Sequence, residues 1–385
     1  MPYRVRFVNP QKQYADHKEE LLGAIDDVLT RGSLTAPNDL EIFEANFAKF
    51  VGVNYAIGTN SGTSALDIAL QAAGIKSGDE VITVSHTFIA SISTICMTGA
   101  KAVLVDVGID FNMDAKLIEK ALSPQTKAIM PVHFNGRLCD MEAITDIAKR
   151  KGLIIIEDAA QALGATMKMA DGATMGAGAF GLAGCFSLYW AKTLGGLGTS
   201  GIAVTNDADM AKKMRLMRYN GEDRESRQFF YHAHNFLMDN VKAAFLGVKM
   251  KYLQSWIARR KEIAELYRNG LGSLAQVELP HFEDPRRSDT YNNYVIRAER
   301  RDNLEQFLKD GELVETLVQW RHPVHTEPVM KETAGTHWRF GCEEQILPET
   351  EKLCSEVISL PMYPELTNDD INAVIEAITT FYQKG

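Results

Sequence analysis

Leu153-Ile154-Ile155-Ile156-Glu157-Asp158-Ala159-Ala160-Gln161 decides how this chain folds. A continuous apolar run is apolar on both faces of a strand, which is the pattern of a parallel sheet covered by helices on both sides. Two carboxylates then stand at the carboxyl end of that strand. A buried carboxylate is costly without a cationic or hydrogen-bonding partner, so the run marks a site for at least one of Glu157 and Asp158. Either one singly also reads as a residue facing solvent or capping the next helix. In sheets of this kind ligands gather at the carboxyl ends of the strands, so the other strand ends are read next.

Working outward, similar short runs rich in Val and Ile occur at 55–58, 81–85, 102–107, 127–133, 185–189 and 202–205. Helix-length segments such as Met141–Gly152 separate them, and Leu40, Phe43, Phe47 and Phe50 recur at helical spacing. The spacing predicts a large, mostly parallel α/β domain over residues 1–250. After about Lys251 the texture changes. Residues 241–267 read as one long helical connector into a smaller C-terminal α/β domain, 251–385. That domain has strands predicted at 294–298 and 316–320, and a helix at 303–309. A last helix opens on Thr367 and Asp370 in capping-box spacing and carries the apolar stripe Ile371, Val374, Ile375, Ile378 and Phe381.

Composition narrows the function classes. In 385 residues, 45% hydrophobic and 24% charged are ordinary globular values, and a net charge of −9 argues against a nucleic-acid backbone as partner. The five cysteines, Cys96, Cys139, Cys185, Cys342 and Cys354, are scattered without a CxxC and read as reduced thiols. The start carries no signal-like apolar region and no apolar run approaches a membrane span, so the expectation is a cytoplasmic protein without a membrane partner. The histidines lack companions at metal-ligand spacing, so no metal is expected.

Three further strand ends carry possible chemistry. Gly58-Thr59-Asn60-Ser61-Gly62-Thr63-Ser64 lies between a strand and a helix. It reads either as an anion cradle of backbone N–H groups and hydroxyls or as an ordinary N-capped turn. It is neither a Walker A loop nor a GxGxxG turn. Phe186-Ser187-Leu188-Tyr189-Trp190-Ala191-Lys192 runs into the glycine-dense Gly195-Gly196-Leu197-Gly198. A lysine among apolar neighbours loses its proton more readily and becomes a nucleophile for a carbonyl, although most lysines are solvated surface charges. In Ser85-His86-Thr87-Phe88 the phenylalanine is either core or a plate for a heteroaromatic ring. Pyridoxal phosphate needs an anion cradle, an acid for its ring nitrogen, a stacking ring and a Schiff-base lysine. All of these occur here, each at a strand end.

On these motifs, together with Gly32-Ser33-Leu34-Thr35, Gly78-Asp79-Glu80-Val81-Ile82, Pro131-Val132-His133 and Ser359-Leu360-Pro361-Met362, the chain resembles the DegT/DnrJ/StrS sugar aminotransferases. These have the fold-type I, aspartate aminotransferase-like architecture. The resemblance implies that Lys192 forms the Schiff base and shuttles the proton, and that Asp158 keeps the ring nitrogen protonated. It sets Gln161 near the ring hydroxyl and Phe88 on the ring. It places the phosphate on Gly62, Thr63 and Ser64 with Ser187. Asn235, in Asn235-Phe236-Leu237, stands where the family's asparagine reaches the phosphate of a neighbouring subunit, which implies a homodimer with shared sites.

The sequence departs from the family at Leu237, where an arginine is usual, and at Thr199-Ser200. The sugar-facing loop keeps His325 after Pro323 but carries an unusual Trp320-Arg321, so Trp320, Arg321 and His325 are the expected substrate contacts. The expected reaction moves an amino group from L-glutamate to a nucleotide-linked keto sugar, for amino-sugar and surface-polysaccharide (lipopolysaccharide) biosynthesis. The alternatives are another pyridoxal-phosphate enzyme, a lyase or a dehydratase, or a non-catalytic regulator that binds the cofactor. The family's dehydratase branch has histidine where Lys192 stands.

Overall fold

The computed structural model describes residues 3–35, 38–280, 284–311, 313–331 and 346–384. Its main sheet has seven strands: β1 (Tyr55–Thr59), β2 (Glu80–Val84), β3 (Lys101–Val105), β4 (Thr126–Ile129), β5 (Ile154–Asp158), β6 (Ala183–Ser187) and β7 (Gly201–Thr205). They lie in the order β1-β7-β6-β5-β4-β2-β3. From β3 across to β6 all pairs are parallel, and β7 runs antiparallel to both β6 and β1. Order breaks and reversals of this kind leave crevices at the strand ends.

The helices of this body are α1 (Pro10–Arg31), α2 (Asp39–Val51), α3 (Gly62–Ala72), α4 (Ile89–Met97), α5 (Ala115–Ala121), α6 (Met141–Lys151), α7 (Ala208–Arg218) and α8 (Asn240–Met250). Ser61, Asp140, Asp207 and Asp239 start four of them by accepting a first-turn N–H. Gly52 and Gly152 end α2 and α6 in the left-handed conformation. Helices cover both faces of the sheet, and each face has its own core. Ile155 belongs to the core with Phe43, Phe47 and Phe186, whereas Ile156 belongs to the core with Ile57, Leu66 and Ala203. That alternation is why the strand needs apolar residues at every position.

A smaller body follows: α9 (Leu253–Leu271), α10 (Arg301–Asp310), α11 (Pro328–Lys331), α12 (Pro348–Glu356), α13 (Asn368–Gln383), and a sheet of β8 (Val277–Glu278), β9 (Tyr294–Ala298) and β10 (Val357–Leu360) in the order β8-β9-β10. The capping box at Thr367 and Asp370 is formed. Two readings of this region need correction. The 241–267 stretch is two helices, with Lys251 and Tyr252 between them. Residues 316–320 are not a strand; Leu317 alone makes a single bridge to Ser359 on the outer edge of β10. The passage between cores lies within α9: Trp256 and Ile257 pack in the large body, Ile263, Tyr267 and Leu271 in the small one. Val5, from the N-terminal segment, also joins the small core and bridges Val314.

Candidate active site

The strand ends converge on a cavity of about 490 Å³. Its walls include Ser61, Gly62 and Thr63 at the start of α3, Phe88 after β2, Asp158 and Gln161 after β5, Ser187 and Lys192 after β6, and Trp320 from the small body. Lys192 is half-buried on the turn following β6. Desolvation holds its ammonium down to about 8, and the nearby Asp158 carboxylate acts against that shift. A lysine near neutrality offers a free amine for a carbonyl carbon.

Asp158 is buried and receives the Ser91 hydroxyl at 2.7 Å on one oxygen and the Ala160 N–H at 3.1 Å on the other. Burial pushes its carboxyl upward, and these donors, Ser91 first, pull it back. An ionised carboxylate takes about four hydrogen bonds, so acceptor capacity remains toward the cavity. Glu157 points to the opposite face of the sheet. It accepts Gly178 N–H (2.8 Å), Phe180 N–H (2.7 Å), Gly181 N–H (2.7 Å) and the His133 Nε2 (3.0 Å). The Cys139 N–H donates to His133 Nδ1, which fixes the proton on Nε2. Glu157 therefore ties a loop in the core, and Asp158 faces the site.

The cradle forms where α3 butts against β6. A Cβ at Gly62 would come within 2.9 Å of the Ser187 Cβ, so only glycine allows this approach. The first-turn N–H groups of Gly62 and Thr63 have no intrahelical acceptor and lie at the positive end of the helix dipole. Ser61 caps the helix through Ser64 N–H, and Ser61 lines the cavity. The Ser64 hydroxyl is turned away, donating to Asn60 Oδ1 at 2.6 Å. Phe88 is 59% exposed on the cavity wall, an unusual state for an aromatic ring and one that leaves a face free for stacking. The Gln161 carbonyl oxygen accepts Asn135 N–H at 2.7 Å.

The loop after Val314 separates its residues. Trp320 reaches the cavity with φ of +52°, held against Phe134 (5.0 Å) and edge-on to His86 (5.2 Å). Burial lowers the His86 imidazolium to about 4, so that ring is neutral and serves as packing. Arg321 turns outward to Asp302 (2.8 Å) and Glu305 (2.6 Å) on α10 and does not line the cavity. His325 also lies off the cavity wall; its Nδ1 meets the Ser85 hydroxyl at 2.7 Å and its Nε2 meets Glu351 at 3.4 Å. Ser, His and Glu in a row have a hydrolase's composition, but Ser85 is fully buried and only fastens the loop. Asn235 lies on the outside of the cradle: its carbonyl accepts Asn60 Nδ2, its side chain accepts Leu237 N–H, and the neighbouring Phe236 carbonyl accepts Asn60 N–H at 2.8 Å.

Several residues at the site escape sequence reasoning. Asn292 and Asn293 on the wall, and Ser91 behind Asp158, come from distant segments and carry no local signal. Among the described residues there is no cluster of His, Cys, Asp and Glu able to hold a metal, and no helix long and apolar enough to cross a membrane. Cys96, Cys139, Cys185 and Cys354 are buried free thiols, and Cys342 lies outside the described residues.

A family model described as the DegT/DnrJ/EryC1/StrS aminotransferase family matches residues 15–379. A Geobacillus stearothermophilus protein named pleiotropic regulatory protein is 37% identical over 98% of this chain and 99% of its own. The dTDP-3-amino-3,4,6-trideoxy-alpha-D-glucose transaminase of Streptomyces venezuelae is 37% identical over 99% of this chain and 97% of its own. The crystal structure of S. venezuelae DesV in complex with a ketimine intermediate matches with a TM-score of 0.91 at 36% identity, covering 98% of each chain.

Proposed function

The chain belongs to the DegT/DnrJ/EryC1/StrS aminotransferase family and is a pyridoxal-phosphate-dependent sugar aminotransferase, and from that premise we propose how its own residues divide the work, which donor it uses and how it assembles. The observation that carries the reading is the pairing, in one cavity, of an amine-bearing Lys192 with a buried, under-bonded Asp158 beside a helix N-terminus. The cradle, the free face of Phe88 and the spare capacity of Asp158 fit the cofactor's phosphate, ring and ring nitrogen.

When bound, pyridoxal phosphate supplies an aldehyde for amines and a ring that takes up an electron pair. Lys192 is the amine that would hold the cofactor's aldehyde carbon and would serve as the proton carrier at the reacting carbon it faces. Asp158, oriented by Ser91, holds a proton on the ring nitrogen by charge. Gly62 and Thr63 bind the phosphate through N–H groups, with the Ser187 hydroxyl beside them, while Ser64 acts through the Ser61 cap. Phe88 and Gln161 fix the ring. Trp320 bounds the acceptor's space; Arg321 and His325 hold the loop that presents it.

The donor is L-glutamate, and the acceptor is a nucleotide-linked keto sugar, a class supported by the dTDP-sugar name of the Streptomyces venezuelae relative. The protein works in the cytoplasm as a homodimer of two-bodied subunits, a large 1–250 body and a small 251–385 body. In that dimer Asn235, exposed beside the cradle, reaches the partner's phosphate site across a two-fold axis. Purified protein with the cofactor, glutamate and a panel of dTDP- and UDP-linked keto sugars should form 2-oxoglutarate with at least one of them. No turnover with any, in protein that binds the cofactor, would sink the donor and acceptor assignment. Mixing Lys192→Ala chains with Asn235→Asp chains should restore activity that neither homodimer has; if nothing returns, the shared site is wrong.

A further inference from the structure

A lysine away from the cavity is buried more deeply than Lys192. Lys249, on the last turn of α8, is 6% exposed. Its ammonium donates to the Gly195 carbonyl at 2.5 Å and lies between the rings of Phe245 (5.6 Å) and Trp256 (5.5 Å). Among the described residues no carboxylate stands within ion-pair distance of it. Burial lowers it to about 8, with Glu365 opposing that shift and Arg260 adding to it. A buried charge served by one carbonyl and two ring faces costs more than an apolar side chain of the same length, so fold stability does not account for it.

Its partner lies just beyond Lys192, in a tightly closed turn. Lys192 N–H donates to Tyr189 O, Trp190 N–H to Gly198 O and Gly196 N–H to Leu188 O. A Cβ at Gly195 would come within 2.1 Å of the Trp190 carbonyl oxygen, so the turn closes on bare backbone there. From the other side, Thr193 donates its N–H and hydroxyl to Asn292 Oδ1 at 3.3 and 3.4 Å. Arg260, also buried, grips the carbonyls of Tyr291, Asn292 and Met362. The segment bearing Lys192 is thus held at Thr193 from the small body and at Gly195 from α8.

We propose that Lys249 is a positioning residue for Lys192, gripping the Gly195 carbonyl so that the turn presents the Lys192 amine to the cavity in one geometry. The proposal rests on Lys192 being the residue that bonds the cofactor. The holoenzyme is therefore first reduced with borohydride and mapped; a label elsewhere than Lys192 refutes that reading, whatever Lys249 does. With the label on Lys192, Lys249→Met should keep its fold and its cofactor. Its kcat should fall by about 10–100-fold with KM for the sugar little changed, because a misplacement of about 1 Å costs that much. The visible absorption of its bound cofactor should shift in wavelength or pH midpoint. Lys249→Arg, which keeps a cationic donor, should recover part of both. Wild-type kcat and spectrum in Lys249→Met would overturn the proposal, as would equal losses in both variants that merely track lowered melting temperature. If Lys249→Met does not fold, Lys249→Gln, which keeps a donor but draws it back from the carbonyl, is read against the same two outcomes.

Discussion

The two faces of β5 end in adjacent carboxylates with opposite fates. On one face Glu157 collects three backbone N–H groups and an imidazole, all within 3.0 Å, and binds the 178–181 loop to the sheet. On the other face Asp158 has two donors and an open cavity in front of it. Both are buried, so burial does not distinguish them. What does is the balance of donors. A carboxylate whose lone pairs are filled from within the chain is a structural tie, while one left short beside a cavity is available to a ligand. The lysines repeat the lesson in weaker form: Lys192 faces the cavity, and Lys249 spends its proton on a carbonyl beneath it.

This contrast can be broken most severely at the cavity. Lys192→Ala should lower transamination by roughly 10⁴-fold or more, since nucleophile and proton carrier go together. The cofactor should still bind through the cradle, read as absorbance retained on dialysis, and borohydride should fix none of it. Asp158→Asn comes next, with an expected loss in kcat of about 10²–10³-fold and the cofactor retained, because a neutral amide cannot hold the ring nitrogen's proton by charge. The same variant tests the lysine. In cofactor-free protein, capture of the cofactor should quicken as pH rises through about 8, where Lys192 loses its proton. Asp158 raises that value, so Asp158→Asn should move the midpoint down; an unmoved midpoint would uncouple the two groups.

Ser91→Ala removes the stronger donor to Asp158 and should cost roughly tenfold in kcat, the worth of one hydrogen bond to a charged group. Glu157→Gln should have the smallest effect on turnover per folded molecule. Its amide sets a donor against donors, so unfolding in urea should show about 3 kcal/mol of lost stability instead. Should Glu157→Gln cut kcat as deeply as Asp158→Asn while leaving stability untouched, the division between the two faces would be mistaken.

Much of this was legible in the primary structure because the signals are local. A run apolar at every position, as in Leu153–Ile156, needs two buried faces, and the alternation of such runs with helices names the architecture. The lysine before a glycine-dense turn, the small-residue turn before α3 and the acids after β5 each carry their chemistry within a few residues. Parity along a strand even ensures that Glu157 and Asp158 face opposite sides. Which side holds the cavity is a property of the whole sheet and of the helices laid on it, and only the tertiary structure decides it. The same holds for Ser91 on Asp158, Asn292 on Thr193 and Lys249 on Gly195, contacts between segments tens of residues apart. Arg321 looked like a substrate contact because it adjoins Trp320, but Asp302 and Glu305 on α10 offer it two carboxylates in the other direction. Residues 316–320 had a strand's composition, yet only Leu317 pairs with the outer edge of β10, at Ser359, and by Trp320 the backbone has turned to a positive φ, which a strand does not allow. Local pattern thus settles what each segment is able to do, and long-range packing settles which partner it meets.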